Sequence, residues 1–156
     1  MNIKNYTTKV PAFRTIGRIE KYLLEMGARN ITKNYDENGR AIKIRFGVNT
    51  KTGMIQFQLP CEIHKISNRL QELKSDGKIK SISWKLARSS THAYNLGWRL
   101  LQDWIEVQLT LIQIDQVKLE QIFLPYAYDP RSDRTFFEMV EEGNYKLLTG
   151  ENKNEI

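Results

Sequence analysis

From Ala41 to Pro60 the apolar residues fall on every second position in two successive runs. In the first run Ile42, Ile44, Phe46 and Val48 share one side, and Lys43 and Arg45 the other. In the second, Ile55, Phe57 and Leu59 stand opposite Gln56 and Gln58. A period of two belongs to a strand with one buried and one wet face. Asn49 to Gly53 makes the turn between the runs, and Asn38-Gly39, a strong hairpin dipeptide, precedes the first. Residues 29–35 (RNITKNY) supply a third strand. The pattern predicts an antiparallel meander with a core face and a polar face.

Helical spacing brackets the meander. Thr15 can cap a helix running to about Met26, with Ile16, Ile19, Leu23 and Met26 on one face and Gly27 as its stop. The β-prone residues 6–10 (YTTKV) precede it. After Pro60, Ile63, Ile66, Leu70 and Leu73 predict a second helix to about Ser75, broken by Asp76-Gly77. Residues 76–90 are compatible with a fourth strand, a mobile basic loop or a helix lead-in. From about Thr91 a long helix follows. Gly97, Leu100, Trp104, Val107, Leu111 and Ile114 recur every three or four residues, with Trp98, Leu101, Ile105, Leu109 and Ile112 beside them. That apolar arc is wider than a surface helix needs, so the C-terminal segment or another subunit should cover its far side. Leu100, Trp104, Val107, Leu111 and Ile114 are therefore the candidate self-association row of a homo-oligomer. Unbroken to Phe123, with Pro125 as its end, the helix would be about 48 Å long. AYDPRSDR (127–134) reads as a turn. Thr135 and Glu138 then have capping-box spacing for a last helix that buries Phe136, Phe137 and Val140 and stops at Gly143. The expected fold class is α+β, a small antiparallel β-meander packed with helices, one of them long and in the C-terminal half. A single domain over residues 1–150 and a flexible tail at 151–156 are expected.

Charge carries the functional argument. The chain has 24 Lys and Arg against 18 Asp and Glu, a net charge of +6. Residues 1–90 hold 18 of those cations and 7 of the acids, and residues 91–156 the remaining 6 and 11. A field this one-sided selects partners. Lys43 and Arg45 on the polar sheet face, with Arg29, Lys33, Arg40 and Lys51 at its edges and turns, are candidate phosphate contacts. Lys78, Lys80, Lys85 and Arg88 surround Trp84, an indole on which an unpaired base can stack. The expected partner is nucleic acid, DNA ahead of RNA, bound without catalysis. The alternative is a protein-interaction module that inhibits a host or defence protein, motivated by the apolar arc and the acidic half.

Other chemistry finds little footing. The lone Cys61 excludes an internal disulfide; near a helix start it can be a reactive thiolate, but a small buried residue is the plainer reading. His64 and His92 lack metal-ligand spacing, and no phosphate-binding glycine motif or nucleophile elbow is present. No metal and no cofactor are expected. Asp103 and Glu106, with Asp129 or Asp133 as a third ligand, can be imagined around Mg²⁺, but a solvated helix face accounts for them. MNIKNYTTKV has no apolar secretory core, and Leu100–Leu124 is interrupted by Asp103, Glu106, Asp115, Lys118 and Glu120, so no membrane partner is expected. The helix-then-meander order is shared with double-stranded RNA-binding domains. Pro60-Cys61-Glu62 stands where that module has its Gly- and Lys-rich loop, which excludes the match.

Several stretches together resemble a family of small, uncharacterised phage and prophage proteins. They are YTTKVPAFRTIGRIEKYLLEMGA (6–28), the meander to FQLP (57–60), AYNLGWRLLQDWIEVQLTLI (93–112) and IFLPYAYD (122–129). The resemblance covers most of the chain except about residues 65–90. It implies a virus or prophage origin and a bacterial host cytoplasm, and it brings no stated activity and no catalytic residues to carry over. Its motif residues are Thr15, Gly17, Trp98, Asp103, Trp104 and Pro125-Tyr126, to which a structural role is assigned.

Overall fold

The computed structural model describes residues 3–150, so the tail expected at 151–156 lies outside the described residues. Helix α1 (Ala12–Glu25) leads into strands β1 (Arg29–Tyr35), β2 (Ala41–Thr50) and β3 (Gly53–Pro60). Helices α2 (Ile63–Ser75), α3 (Trp84–Ala87), α4 (Ser90–Gln113) and α5 (Leu119–Phe123) follow. A 3-10 turn (Leu124–Tyr126), two-residue strands β4 (Tyr128–Asp129) and β5 (Arg134–Thr135), and helices α6 (Phe136–Glu142) and α7 (Lys146–Thr149) complete the order. The class is α+β. Among the described residues no helix is long and apolar enough to cross a membrane.

The meander forms as its alternation requires, in the order β1-β2-β3 and antiparallel throughout. Phe46 lies opposite Phe57 and Arg45 opposite Gln58, which sets the parity of both faces. Ile44, Phe46, Phe57 and Leu59 are fully buried on the core face. The first hairpin is closed by Asp36, whose carboxylate accepts hydrogen bonds from the Asn38 and Arg40 N–H groups at 2.9 Å, while Gly39 takes a φ of 71°. The Arg40 N–H, ahead of its guanidinium, holds the Asp36 carboxyl below its ordinary range.

Helix α1 begins three residues before the expected cap. Pro11 occupies the cap position, and the free Ala12 N–H is satisfied from outside the helix by Asn95 Oδ1 of α4, at 2.9 Å. Thr15 lies buried within the helix, and its hydroxyl has no hydrogen-bond partner. The β-prone residues 6–10 form no strand. They belong instead to a strap along α4. Asn5 donates to Asp103 at 2.7 Å, and the Tyr6 carbonyl accepts from Nε2 of buried His92 at 2.7 Å. Local propensity yields here because polar groups on α4 take the strap's hydrogen bonds.

Helix α4 spans 24 residues, about 36 Å, and does not reach Phe123. Asp115 adopts a left-handed φ of 55°, and the Gln116 N–H bonds back to the Leu111 carbonyl at 3.0 Å, a Schellman end without glycine. Pro125 sits in the 3-10 turn rather than ending α4. The reversal folds Phe123 against Phe46, Phe57 and Trp104, with ring centroids 5.4, 6.1 and 5.5 Å away. Trp98 is fully buried, and its Nε1 donates to the Ala41 carbonyl at 3.0 Å. The Ala41 N–H in turn donates to the Tyr94 hydroxyl at 3.2 Å, so α4 grips both backbone groups where β2 starts. A Cβ at Gly97 would lie 2.6 Å from the Ile66 Cδ1 and 2.7 Å from the Cys61 Sγ, so glycine there lets these side chains close on α4, and a larger residue would have to push them aside.

The expected self-association row is divided by this packing. Leu100 and Trp104 pack against the core, and Trp104 meets Tyr126 of the C-terminal segment at 5.7 Å. Leu111 is half-buried, and only Val107 and Ile114 are exposed. Residues 76–90 resolve as a helix lead-in. Ile79, Ile82 and Ala87 are buried, and the Ser83 and Ser89 hydroxyls cap α3 and α4. The 127–134 turn is a small hairpin, and Ala127 bridges to Phe57 along the edge of β3. The Thr135–Glu138 capping box forms, but the burial expected behind it does not: Phe136 and Phe137 stay exposed and Val140 is half-buried.

Candidate nucleic-acid interface

The eleven sequence-predicted interface residues fall into two environments. On the sheet, the polar face is not open. The β4–β5 hairpin lies over it, and Gln58 in its middle is buried. The Arg45 guanidinium donates to Gln58 Oε1 at 2.8 Å and to Asp133 Oδ1 at 2.6 Å, and lies 4.9 Å over the Tyr128 ring. Lys43 stands 3.9 Å from the other oxygen of Asp133. The expected free face is thus partly covered by the chain's own acidic half, with Asp133 set between Lys43 and Arg45.

The edge cations are also largely engaged. Lys33 lies opposite Ile44, which puts it on the core side of the sheet rather than the Arg45 side. It bonds Glu20 of α1 at 2.6 Å, and that bond raises its ammonium above the ordinary value. Arg40 pairs with Asp36 inside the hairpin turn. Arg29 donates to the carbonyl of its neighbour Ala28, and Lys51 is exposed in the β2–β3 turn. Neither Arg29 nor Lys51 forms an ion pair among the described residues.

The α2–α4 connection differs. Its buried residues Ile79, Ile82 and Ala87 fix the backbone, and Lys78, Lys80, Lys85 and Arg88 stand outward. Lys78 pairs with Asp76 at 3.2 Å. Lys80, Lys85 and Arg88 have no carboxylate partner among the described residues. Arg88 lies 4.9 Å over one face of Trp84, whose side chain is 42% exposed. Lys74, missed in the sequence reading, belongs here too, since its ammonium donates to the Lys80 carbonyl at 3.4 Å. The outer stripe of α1, Arg14, Arg18 and Lys21, was also missed. Its spacing of four and three residues was the available signal, and all three residues are exposed.

The remaining candidates are structural. Burial pushes the Cys61 thiol up to about 12, the opposite of an activated thiolate. His64 is exposed on α2. Partial burial pushes the Asp103 carboxyl up, but hydrogen bonds from Lys4 and Asn5 and the charge of Arg99 outweigh it and hold the group below its ordinary value. Asp103 is thus neutralised within the fold, and Asp133 is held on the sheet by Arg45. Among the described residues no three His, Cys, Asp or Glu side chains are grouped to hold a metal ion. A cleft of about 880 Å³ lies between the end of the sheet and α6, and its wall mixes Arg40, Lys43 and Lys65 with Glu62, Glu138 and Glu141. No protein-family model, curated protein or solved structure matches the chain.

Proposed function

We propose that the protein is a non-enzymatic nucleic-acid-binding accessory protein of a phage or prophage, acting in replication, recombination or host takeover in the bacterial host cytoplasm. The observation that carries the binding reading is the α2–α4 connection, where Lys80, Lys85 and Arg88, without carboxylate partners among the described residues, share one short segment with a half-exposed Trp84 on which Arg88 lies. Cations without acid partners are the ones that release counterions when they meet phosphate, and an exposed indole gives a base a stacking surface. Single-stranded DNA is the favoured ligand, because a duplex hides the base faces that Trp84 would meet. The phage setting rests on the resemblance of residues 6–28, 57–60, 93–112 and 122–129. Fluorescence anisotropy with a labelled oligonucleotide, single- and double-stranded, across a salt series tests the reading. Salt-dependent binding that favours the single strand is expected. No binding to either form at about 50 mM salt would refute it.

A second reading, inhibition of a host or defence protein, is favoured by the exposed Phe13 and Leu24 on α1. Pull-down from nuclease-treated host lysate separates the two. A stoichiometric protein partner supports the second reading, and co-purifying nucleic acid in an untreated lysate supports the first.

A further inference from the structure

The C-terminal helices carry apolar residues without a core to hold them. From Phe136 to Gly150 no residue is buried. Phe136, Phe137, Met139 and Tyr145 are exposed, and Leu147 and Leu148 are each 74% exposed. Within its own chain α6 packs chiefly along the 3-10 turn and β5. Large apolar side chains left in water and gathered in one short stretch of chain are the residues an interface uses.

Helix α1 offers a matching face. Behind its buried Ile16, Ile19 and Leu23, the outer side presents Phe13 at 72% and Leu24 at 54% exposure. Arg14, Arg18 and Lys21 run beside them, with no carboxylate partner among the described residues. Gly17 lies mid-helix in the same exposed region, and a Cβ there would meet nothing within 4 Å. A mid-helix glycine costs about 1 kcal/mol against alanine, and nothing inside this molecule uses the missing side chain. The missing side chain leaves room there for a close approach to the helix.

We propose that this second body is another copy of the chain, whose α6–α7 unit docks on α1. Charge selects the occupant. The exposed α1 face carries Arg14, Arg18 and Lys21 against Glu25, and the α6–α7 unit carries Glu138, Glu141 and Glu142 against Lys146, with Glu138 held in the capping box, Glu142 bridged to the exposed Arg134 and Glu141 in no ion pair among the described residues. One copy therefore supplies the complement of the other, in sign and in apolar surface. A symmetric α1-to-α1 contact would bring like charges together, and a phosphate backbone would leave Phe13 and the two leucines in water. Two copies can exchange this contact about a two-fold axis, and where the geometry does not close in that way it builds a ring or an open chain.

The test needs no nucleic acid, so it stands apart from the proposed function. Light scattering after size exclusion on the full chain, at about 10 and about 200 µM, reads the mass. Multiples of the monomer mass that grow with concentration and shrink with salt are expected. Leu147→Asp with Leu148→Asp should return the monomer. Arg14→Glu with Arg18→Glu should do the same, as should Glu141→Lys with Glu142→Lys. Mixing those two charge-reversed proteins should restore the larger species, because each then presents the complement of the other. All the substituted side chains are exposed, and far-UV circular dichroism checks that the fold is kept. A monomer at the higher concentration overturns the proposal. So does association that survives the leucine substitutions, or a mixture that stays monomeric.

Discussion

On the sheet, the guanidinium of Arg45 sits among a carboxamide, a carboxylate and a phenol ring; on the α2–α4 connection, that of Arg88 lies on an indole and meets no acid among the described residues. Both regions are basic in sequence, and both were candidates for the same ligand. They differ in what the fold lays over them. Ala127 bridges to β3, which carries the following hairpin and its Asp133 across the sheet. The connection is anchored from below by Ile79, Ile82 and Ala87, and among the described residues only Asp76, at its start, supplies an acid. A cation's contribution to polyanion binding depends on the counterions it still holds, so the two regions should respond in opposite ways to the same substitution.

The largest expected effect lies on the connection. Replacing Lys80, Lys85 and Arg88 by alanine together should lower the slope of log affinity against log salt by about 2, from roughly 0.7 per lost contact on a single strand. At low salt that corresponds to a loss on the order of 100-fold in affinity. Anisotropy titrations from low to high salt measure both quantities. An unchanged slope would mean that the connection is not the interface. Next comes Trp84→Ala, which should weaken single-strand binding by about 1–3 kcal/mol and duplex binding much less. Equal losses on both forms would remove stacking from the account.

The meander was legible because its information is local. The period of two in β2 and β3 and the Asn38-Gly39 turn predict the strands, and burial of Ile44, Phe46, Phe57 and Leu59 follows. Helix α2 was legible for the same reason. What the sequence hid depends on distant contacts. The cover over Arg45 comes from a residue 88 positions away, and no periodicity encodes that pairing. The end of α4 was missed because Asp115, not a glycine, takes the left-handed turn. The sequence left the cover on Trp104 open between the C-terminal segment and another subunit; Phe123 and Tyr126 of the C-terminal segment take that place after the turn at Asp115. In the candidate interface, the cations could be listed from sequence, but their acid partners could not.

A smaller effect tests the sheet side. Lys43→Ala with Arg45→Ala should leave the salt slope of DNA binding in place, because Asp133 already neutralises these residues. Its consequence should appear in stability instead. A double-mutant cycle between Arg45→Ala and Asp133→Ala, followed by urea unfolding, should give a coupling of about 0.5–1 kcal/mol, the range for a partly exposed ion pair. A slope that falls as far as in the connection variant would break the comparison. It would mean that the hairpin swings aside and phosphate replaces Asp133 on Arg45.

The smallest effect reads the electrostatic reach of the sheet cations on the C-terminal segment. The Thr135 N–H, then the Thr135 hydroxyl, hold the Glu138 carboxyl below its ordinary value of 4.5, with Lys43 and Arg134 adding to the same direction. A carboxyl lowered by folding is ionised in the native state where the unfolded chain would already bind a proton. Its stabilising contribution is therefore complete above the ordinary value and is lost as pH falls through the native one. NMR titration of the Glu138 side chain should give a midpoint below 4.5. Lys43→Ala should move that midpoint up, and Lys85→Ala should leave it where it is, because only Lys43 shares the surroundings of α6. A midpoint at the ordinary value would detach the capping box, and with it the cover on the sheet. Equal shifts from both lysines would mean that net charge rather than position is felt, and the two basic regions would no longer be distinct.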